Sequence, residues 1–191
     1  ITLGKGKKLG LISCFFEAKE LNESKEIIEK KLSDFKIDLL YWRKVPTDKE
    51  VLGTLAKQSK PAIFHAVISS DEKNEKIFEK TLYLFRKALE KEISNHKFLN
   101  IHINSCSSRT VVYKGLFTAT QASDFYWDLR NPLFKTRFGI FHQRFSTNTS
   151  STWDKAQPLR MLAHNGEINT ITANYSWMQA LSLIHTPSPR D

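Results

Sequence analysis

Two short stretches of this 191-residue chain concentrate side chains that could do chemistry. The first is His142-Gln143-Arg144-Phe145-Ser146-Thr147-Asn148-Thr149, a polar loop directly after the apolar run Arg137 to His142. A polar mouth on a rigid base is a common way to build a site. Arg144 is the natural anion clamp, because a planar guanidinium can hold a carboxylate through two parallel hydrogen bonds. Thr147 and Asn148 can add donors beside it. By residue type alone, the loop fits a surface arginine equally well. The second stretch is Ala163-His164-Asn165-Gly166-Glu167-Ile168-Asn169. Asn-Gly is first of all a turn signal, and its plain reading is a hairpin. The other reading is an oxyanion hole, with a side-chain N–H from Asn165 and a backbone N–H from Gly166. Glycine leaves no Cβ in a substrate's way. Two such donors aimed at a developing negative oxygen contribute roughly 3 kcal/mol or more.

Other reactive side chains are sparse. Cys14 and Cys106 both sit in apolar, strand-like contexts and read as small buried hydrophobes. Two cysteines form no disulfide framework, which points to a reducing compartment. The six histidines and two cysteines show no close ligand spacing, which argues against a metal site.

The elements that must position these loops are mixed. Leu9 to Phe16 is an apolar run of buried-strand length, and Glu17 to Phe35 reads as a helix with Ile28, Leu32 and Phe35 on one face. Ile37 to Trp42 is a second strand. Thr47 and Glu50 have capping-box spacing, which predicts a short helix to about Gln58. Ala62 to Ile68 is a strand after Pro61. Asp71 to Glu92 is the clearest helix, with Phe78, Leu82, Phe85 and Leu89 along one stripe and lysines and glutamates opposite. Further strands are expected at Phe98 to Cys106, Thr110 to Tyr113, Arg137 to His142 and Met161 to His164. Helices are expected at Thr118 to Tyr126 and Asn169 to Leu181. With no repeat and no linker, this reads as one α+β domain.

Composition agrees with a packed domain: 40% apolar residues, 12% aromatic and 13 phenylalanines exclude wholesale disorder. The 29 basic and 20 acidic residues give a formal charge of +9. The lysines are interleaved with glutamates on helix-like stretches, so a solvated basic surface is favoured over a nucleic-acid footprint. No apolar run approaches the roughly 18 residues of a membrane helix, and nothing resembles a signal peptide. The chain begins with Ile1 in what reads as a strand approach, which points to a fragment.

The wording of the two polar stretches is more specific than their residue types. DLRNPLFKTRFGIFHQRFSTNT, WDKAQPLRMLAHNGEINT and NYSWM, between Asp128 and about Ala180, closely resemble the glutamine amidotransferase domain of the glutamate synthase family. Ser107 to Gly115 (SSRTVVYKG) and Trp42 to Gly53 (WRKVPTDKEVLG) resemble it too. The resemblance implies an N-terminal-nucleophile hydrolase, a four-layer αββα sandwich that is incomplete here. It covers residues 1–180 as a partial class II amidotransferase domain, with 181–191 as an irregular tail. The implied reaction is hydrolysis of the glutamine side-chain amide, with the ammonia used for reductive synthesis of glutamate from 2-oxoglutarate.

In that family the nucleophile is a cysteine at the start of the mature chain. Its own α-amino group, with a pKa near ~8, takes the thiol proton. Carried over by position, Arg144 holds the glutamine α-carboxylate with Thr147 and Asn148, and Asn165 and Gly166 form the oxyanion hole. His142 and His164 are left as packing or loop-holding residues. Ile1 is not cysteine, and neither Cys14 nor Cys106 stands where the family's nucleophile does, so the chain alone is expected to be inactive. Ser150 and Ser151 replace the Phe and Pro usual after the Arg loop. The resemblance implies no cofactor in this chain. FMN and an iron–sulfur cluster belong to the full-length enzyme, whose electron donor is ferredoxin or an NAD(P)H subunit. It also implies a flavin-containing synthase domain on the same polypeptide and a cytoplasmic or plastid location, with neither nucleic acid nor membrane as partner. The rivals are another class II amidotransferase or a non-catalytic basic binding module.

Overall fold

The computed structural model describes residues 6–96, 99–143, 150–157 and 171–180. Its centre is a four-stranded antiparallel sheet in the order β2-β3-β1-β4. These strands are β1 (Lys8–Phe16), β2 (Asp38–Lys44), β3 (Ala62–Ser70) and β4 (Ile101–Ser107). Two helices, α1 (Leu21–Asp34) and α3 (Glu75–Asn95), cover one face. Short helices α2 (Thr54–Gln58) and α4 (Ala122–Phe125) lie in the connections, and α5 (Ile171–Ala180) is the last described element.

Period-2 alternation decides which side chains meet the helices. Ile12, Cys14 and Phe16 of β1 and Phe64, Ala66 and Ile68 of β3 join Ile28, Leu32, Phe78, Leu82, Phe85 and Leu89 in one buried cluster. The four α3 residues are fully buried, and each such burial contributes about 1.5–3 kcal/mol. Space is tight at Gly10, where a Cβ would lie 3.1 Å from Ile68 Cγ1 of the neighbouring strand and 3.4 Å from Leu82 Cδ1 of α3. Helix α3 starts later than its charge pattern predicts, because Asn74 Oδ1 caps it by accepting from the backbone N–H of Lys76 and Ile77. Helix α1 ends with Lys36 in the left-handed region (φ 55°) and the Ile37 N–H donating to Leu32 O at 3.0 Å, which satisfies a terminal carbonyl.

A bulge in β4 sets the other face. Ser13 pairs with Ser105 and Cys14 with Ile103, so Asn104 is the extra residue. The parity of β4 changes there. Ile101, Ile103 and Cys106 pack toward the helices, while His102 and Ser105 turn to the opposite face.

Three expectations are corrected. Thr110 to Tyr113 forms no strand: the backbone N–H groups of Arg109 and Thr110 donate to Ser107 Oγ and that of Val112 to Ser105 Oγ, which folds the segment across the sheet. Arg137 to His142 is irregular and exposed. Thr47 is not a helix cap. Asp48 accepts from the Glu50 N–H to start a single 3-10 turn, Lys49–Val51, while Thr47 bridges Tyr126. The strand expected at Met161 to His164 and the tail 181–191 lie outside the described residues. No helix among the described residues is long and apolar enough to cross a membrane.

Candidate functional site

The face of the sheet away from α1 and α3 is covered by connections instead of helices. Phe15 of β1 and Ile63 of β3 meet Val45, Leu52, Phe125, Tyr126 and Trp153 there. Aromatic rings dominate: Tyr126 stands edge-on to Tyr113 (4.9 Å) and Phe125 (4.7 Å), and Trp153 edge-on to Phe15 (5.9 Å).

Two polar groups are embedded among them. In the first, Arg43 of β2 grips the Asp128 carboxylate with both guanidinium nitrogens, at 2.7 and 2.5 Å, and the Tyr113 hydroxyl donates to the same carboxylate at 2.8 Å. The Arg43 fork holds the Asp128 carboxyl below the usual carboxylate range, against the opposing effect of burial. Burial first, and then the neighbouring Asp128, push the Tyr113 phenol up. His65 of β3 is buried beside this group, its ring edge-on to Tyr113, and burial together with Arg43 lowers its pKa to about 4.

In the second, Lys114 is 2% exposed. Its Nζ donates to the Asp154 carbonyl at 2.6 Å and lies 2.8 Å from His102 Nε2. A lysine ammonium carries donors only, so Nε2 accepts and the ring proton resides on Nδ1. Burial lowers Lys114 to about 8, and burial with the adjacent Lys114 lowers His102 to about 4. An open cleft of about 420 Å³ lies beside this group, bounded by Phe15, Lys60, His102, Ser151, Thr152 and Trp153.

The residues expected to bind glutamine or stabilise its oxyanion, Arg144, Thr147, Asn148, Asn165 and Gly166, lie outside the described residues, as does His164. Their flanks are described. Segment 150–157 is fastened to the sheet: Trp153 is buried, and its indole N–H donates to Ala56 O at 3.2 Å. Gly115 permits this, since a Cβ there would lie 2.5 Å from the Trp153 ring. On the other side, Phe138 and Phe141 are exposed, and so is His142, which packs against no core.

Burial raises the pKa of both cysteine thiols. Cys14 is completely buried, and desolvation drives its thiol far up. Cys106 is pushed to about 12 by burial, with Sγ donating to Leu82 O at 3.6 Å. Both thiols stay protonated at neutral pH and face the helix layer.

Residue-type reasoning missed Arg43, His65, His102, Tyr113, Lys114, Asp128 and Trp153 as a set. A signal was present: Tyr113-Lys114-Gly115 puts a charge at the end of an apolar run, where a solvated lysine is out of place.

Comparison with known families assigns the class. The family model for class-II glutamine amidotransferases matches residues 1–187, and the chain belongs to that family. The relatives are more particular. The chain is 42% identical over 164 residues to the ferredoxin-dependent glutamate synthase of Cyanidium caldarium, covering 84% of this chain and 11% of that protein. It is 40% identical over 155 residues to the large chain of the NADPH glutamate synthase of Azospirillum brasilense, covering 81% and 10%. It is 38% identical over 174 residues to the chloroplastic ferredoxin-dependent glutamate synthase of Oryza sativa subsp. japonica, covering 90% and 11%. The chain thus spans about a tenth of the length of these curated relatives.

Proposed function

We propose that this chain is the glutamine-hydrolysing part of a glutamate synthase. Glutamine and water give glutamate and ammonia, and the ammonia is consumed in reductive synthesis of a second glutamate from 2-oxoglutarate. The observation that carries this reading is the pairing of HQRFSTNT with LAHNGEINT in a chain of the class-II amidotransferase family.

In this reading Arg144 holds the glutamine α-carboxylate, with Thr147 and Asn148 adding donors. Asn165 and Gly166 receive the negative oxygen that develops on the side-chain carbonyl. The nucleophile is a cysteine other than Cys14 and Cys106, in line with the full burial of Cys14 and the raised thiol pKa of both. A second sheet beyond the connections that cover Phe15, Ile63 and His65 completes the four-layer αββα sandwich. FMN and an iron–sulfur cluster reside in other domains of the full-length enzyme, with ferredoxin or an NAD(P)H-dependent subunit as electron donor. The compartment is the cytoplasm or a plastid, the latter suggested by the chloroplastic relative.

The test is glutaminase kinetics of the full-length enzyme. Asn165→Ala removes a donor that matters most at the transition state. It is expected to lower kcat by about 100-fold or more while leaving KM for glutamine nearly unchanged. A kcat within threefold of wild type would remove Asn165 from the oxyanion hole.

A further inference from the structure

We propose that Lys114 is a positioning residue for glutamine binding. It clamps to the sheet the segment that follows Arg144 in the chain, while its neighbour Tyr113 holds the segment that precedes it. The inference rests on the reading of Arg144 as the carboxylate clamp.

Three consecutive residues divide the work. Tyr113 takes the segment before the Arg loop, donating to Asp128 and standing edge-on to Phe134 at 5.7 Å. Lys114 takes the segment after it through the Asp154 carbonyl. Gly115 gives the Trp153 ring room against the backbone, one residue before Asp154. The tripeptide therefore fixes how far apart residues 128–134 and 153–154 lie, and these bracket residues 144–149 in the chain.

The choice of lysine at this position is informative. A buried ammonium is destabilising unless it is well hydrogen-bonded, and an aliphatic side chain would fill the same space without that penalty. Among the described residues, Lys114 has no carboxylate within salt-bridge distance. Its two identified acceptors are neutral, one on β4 (His102 Nε2) and one on the segment beyond the Arg loop (Asp154 O). Packing alone could hold residues 150–157 near the sheet. The ammonium adds a fixed register along it, because a donor between two acceptors tolerates little sliding. Clamping a binding loop through its flanks acts on the ground-state complex, so its loss should appear in KM more than in kcat.

The experiment compares four full-length enzymes in glutamine hydrolysis: wild type, Arg144→Ala, Lys114→Met, and Lys80→Met on the exposed side of α3. Lys114→Met keeps an unbranched side chain one atom shorter and removes the donors. The expected result is a KM for glutamine raised at least tenfold with kcat within threefold, while Lys80→Met matches wild type. A lysine with only a structural role would lower the amount of folded enzyme, and so the apparent kcat, with KM unchanged. That result would overturn the proposal. If Arg144→Ala raises KM and Lys114→Met does not, the clamp fails and the Arg144 reading stands. If Arg144→Ala leaves KM unchanged, the site reading fails and the clamp with it. Should Lys114→Met not yield folded enzyme, His102→Ala decides by the same measurement. It leaves the ammonium one acceptor, so a raised KM supports the proposal and an unchanged KM overturns it.

Discussion

The two faces of the sheet are built by different means. The helix-covered face is almost wholly apolar and closes by periodic contacts: alternate residues of β1 and β3 against one stripe each of α1 and α3. The other face is closed by single residues reaching across the sequence. Arg43 meets Asp128 and Tyr113, Trp153 meets Ala56, and Lys114 meets Asp154. The first face supplies stability. The second holds buried polar groups against aromatic rings, and the segments that flank the amidotransferase signature run over it. A fold can thus commit one side of a sheet to hydrophobic free energy and leave the other to place chemistry.

Substitutions on the two faces should separate these roles. Phe85→Ala, at a fully buried position, is expected to destabilise the domain by about 3–5 kcal/mol, from lost transfer free energy and the cavity left behind. Hydrogen exchange of the β1 and β3 amides would report it, and KM for glutamine measured on the folded fraction should be unchanged. A large KM effect would break the division between faces. Asp128→Ala leaves Arg43 and Tyr113 without their shared acceptor. Breaking a fully buried ion pair is destabilising by about 3–5 kcal/mol. The Arg43 side chain is 34% exposed, so the expected loss is smaller, about 1–3 kcal/mol. Here KM for glutamine should rise as well, because Asp128 anchors the segment that leads to Arg144.

The smallest effect is a pH dependence. His65 and His102 have folded pKa values near 4, below the ordinary 6.5. The unfolded chain therefore binds protons that the folded chain refuses between these values. Stability is fully present above about pH 6.5 and is lost as pH falls toward 4. For His65, which is 3% exposed, this is on the order of 1–3 kcal/mol. Thermal unfolding followed between pH 4.5 and 7 should show the loss, and His65→Gln should flatten it. An equally steep loss in His65→Gln would place the titrating group elsewhere.

The legibility of the sequence divides along the same line. α1 and α3 are readable because a buried stripe leaves a period of 3.6, and β1 and β3 because strands buried on both faces leave short apolar runs. Element starts are less readable: Asn74 caps α3 three residues beyond the expected start at Asp71, and Asp48 takes the cap expected of Thr47. The strand expected at Thr110 to Tyr113 failed because two serine hydroxyls took amides that a ladder would have used. The site's wording, Arg144 through Gly166, was legible as a family signature. Its buried support was not, because the pairing of Arg43 with Asp128 or Lys114 with Asp154 leaves no periodic trace. Only an incongruous charge in an apolar run marks it.

The expectation that carries most weight is that Arg144 and the Asn165-Gly166 pair bind one and the same glutamine. The most direct test is a structure of the full-length enzyme with glutamine or glutamate bound. The account predicts the Arg144 guanidinium on the ligand's α-carboxylate and the Asn165 and Gly166 N–H groups directed at its side-chain carbonyl oxygen. A ligand seated with Arg144 and the Asn165-Gly166 turn on opposite sides of the domain would contradict it.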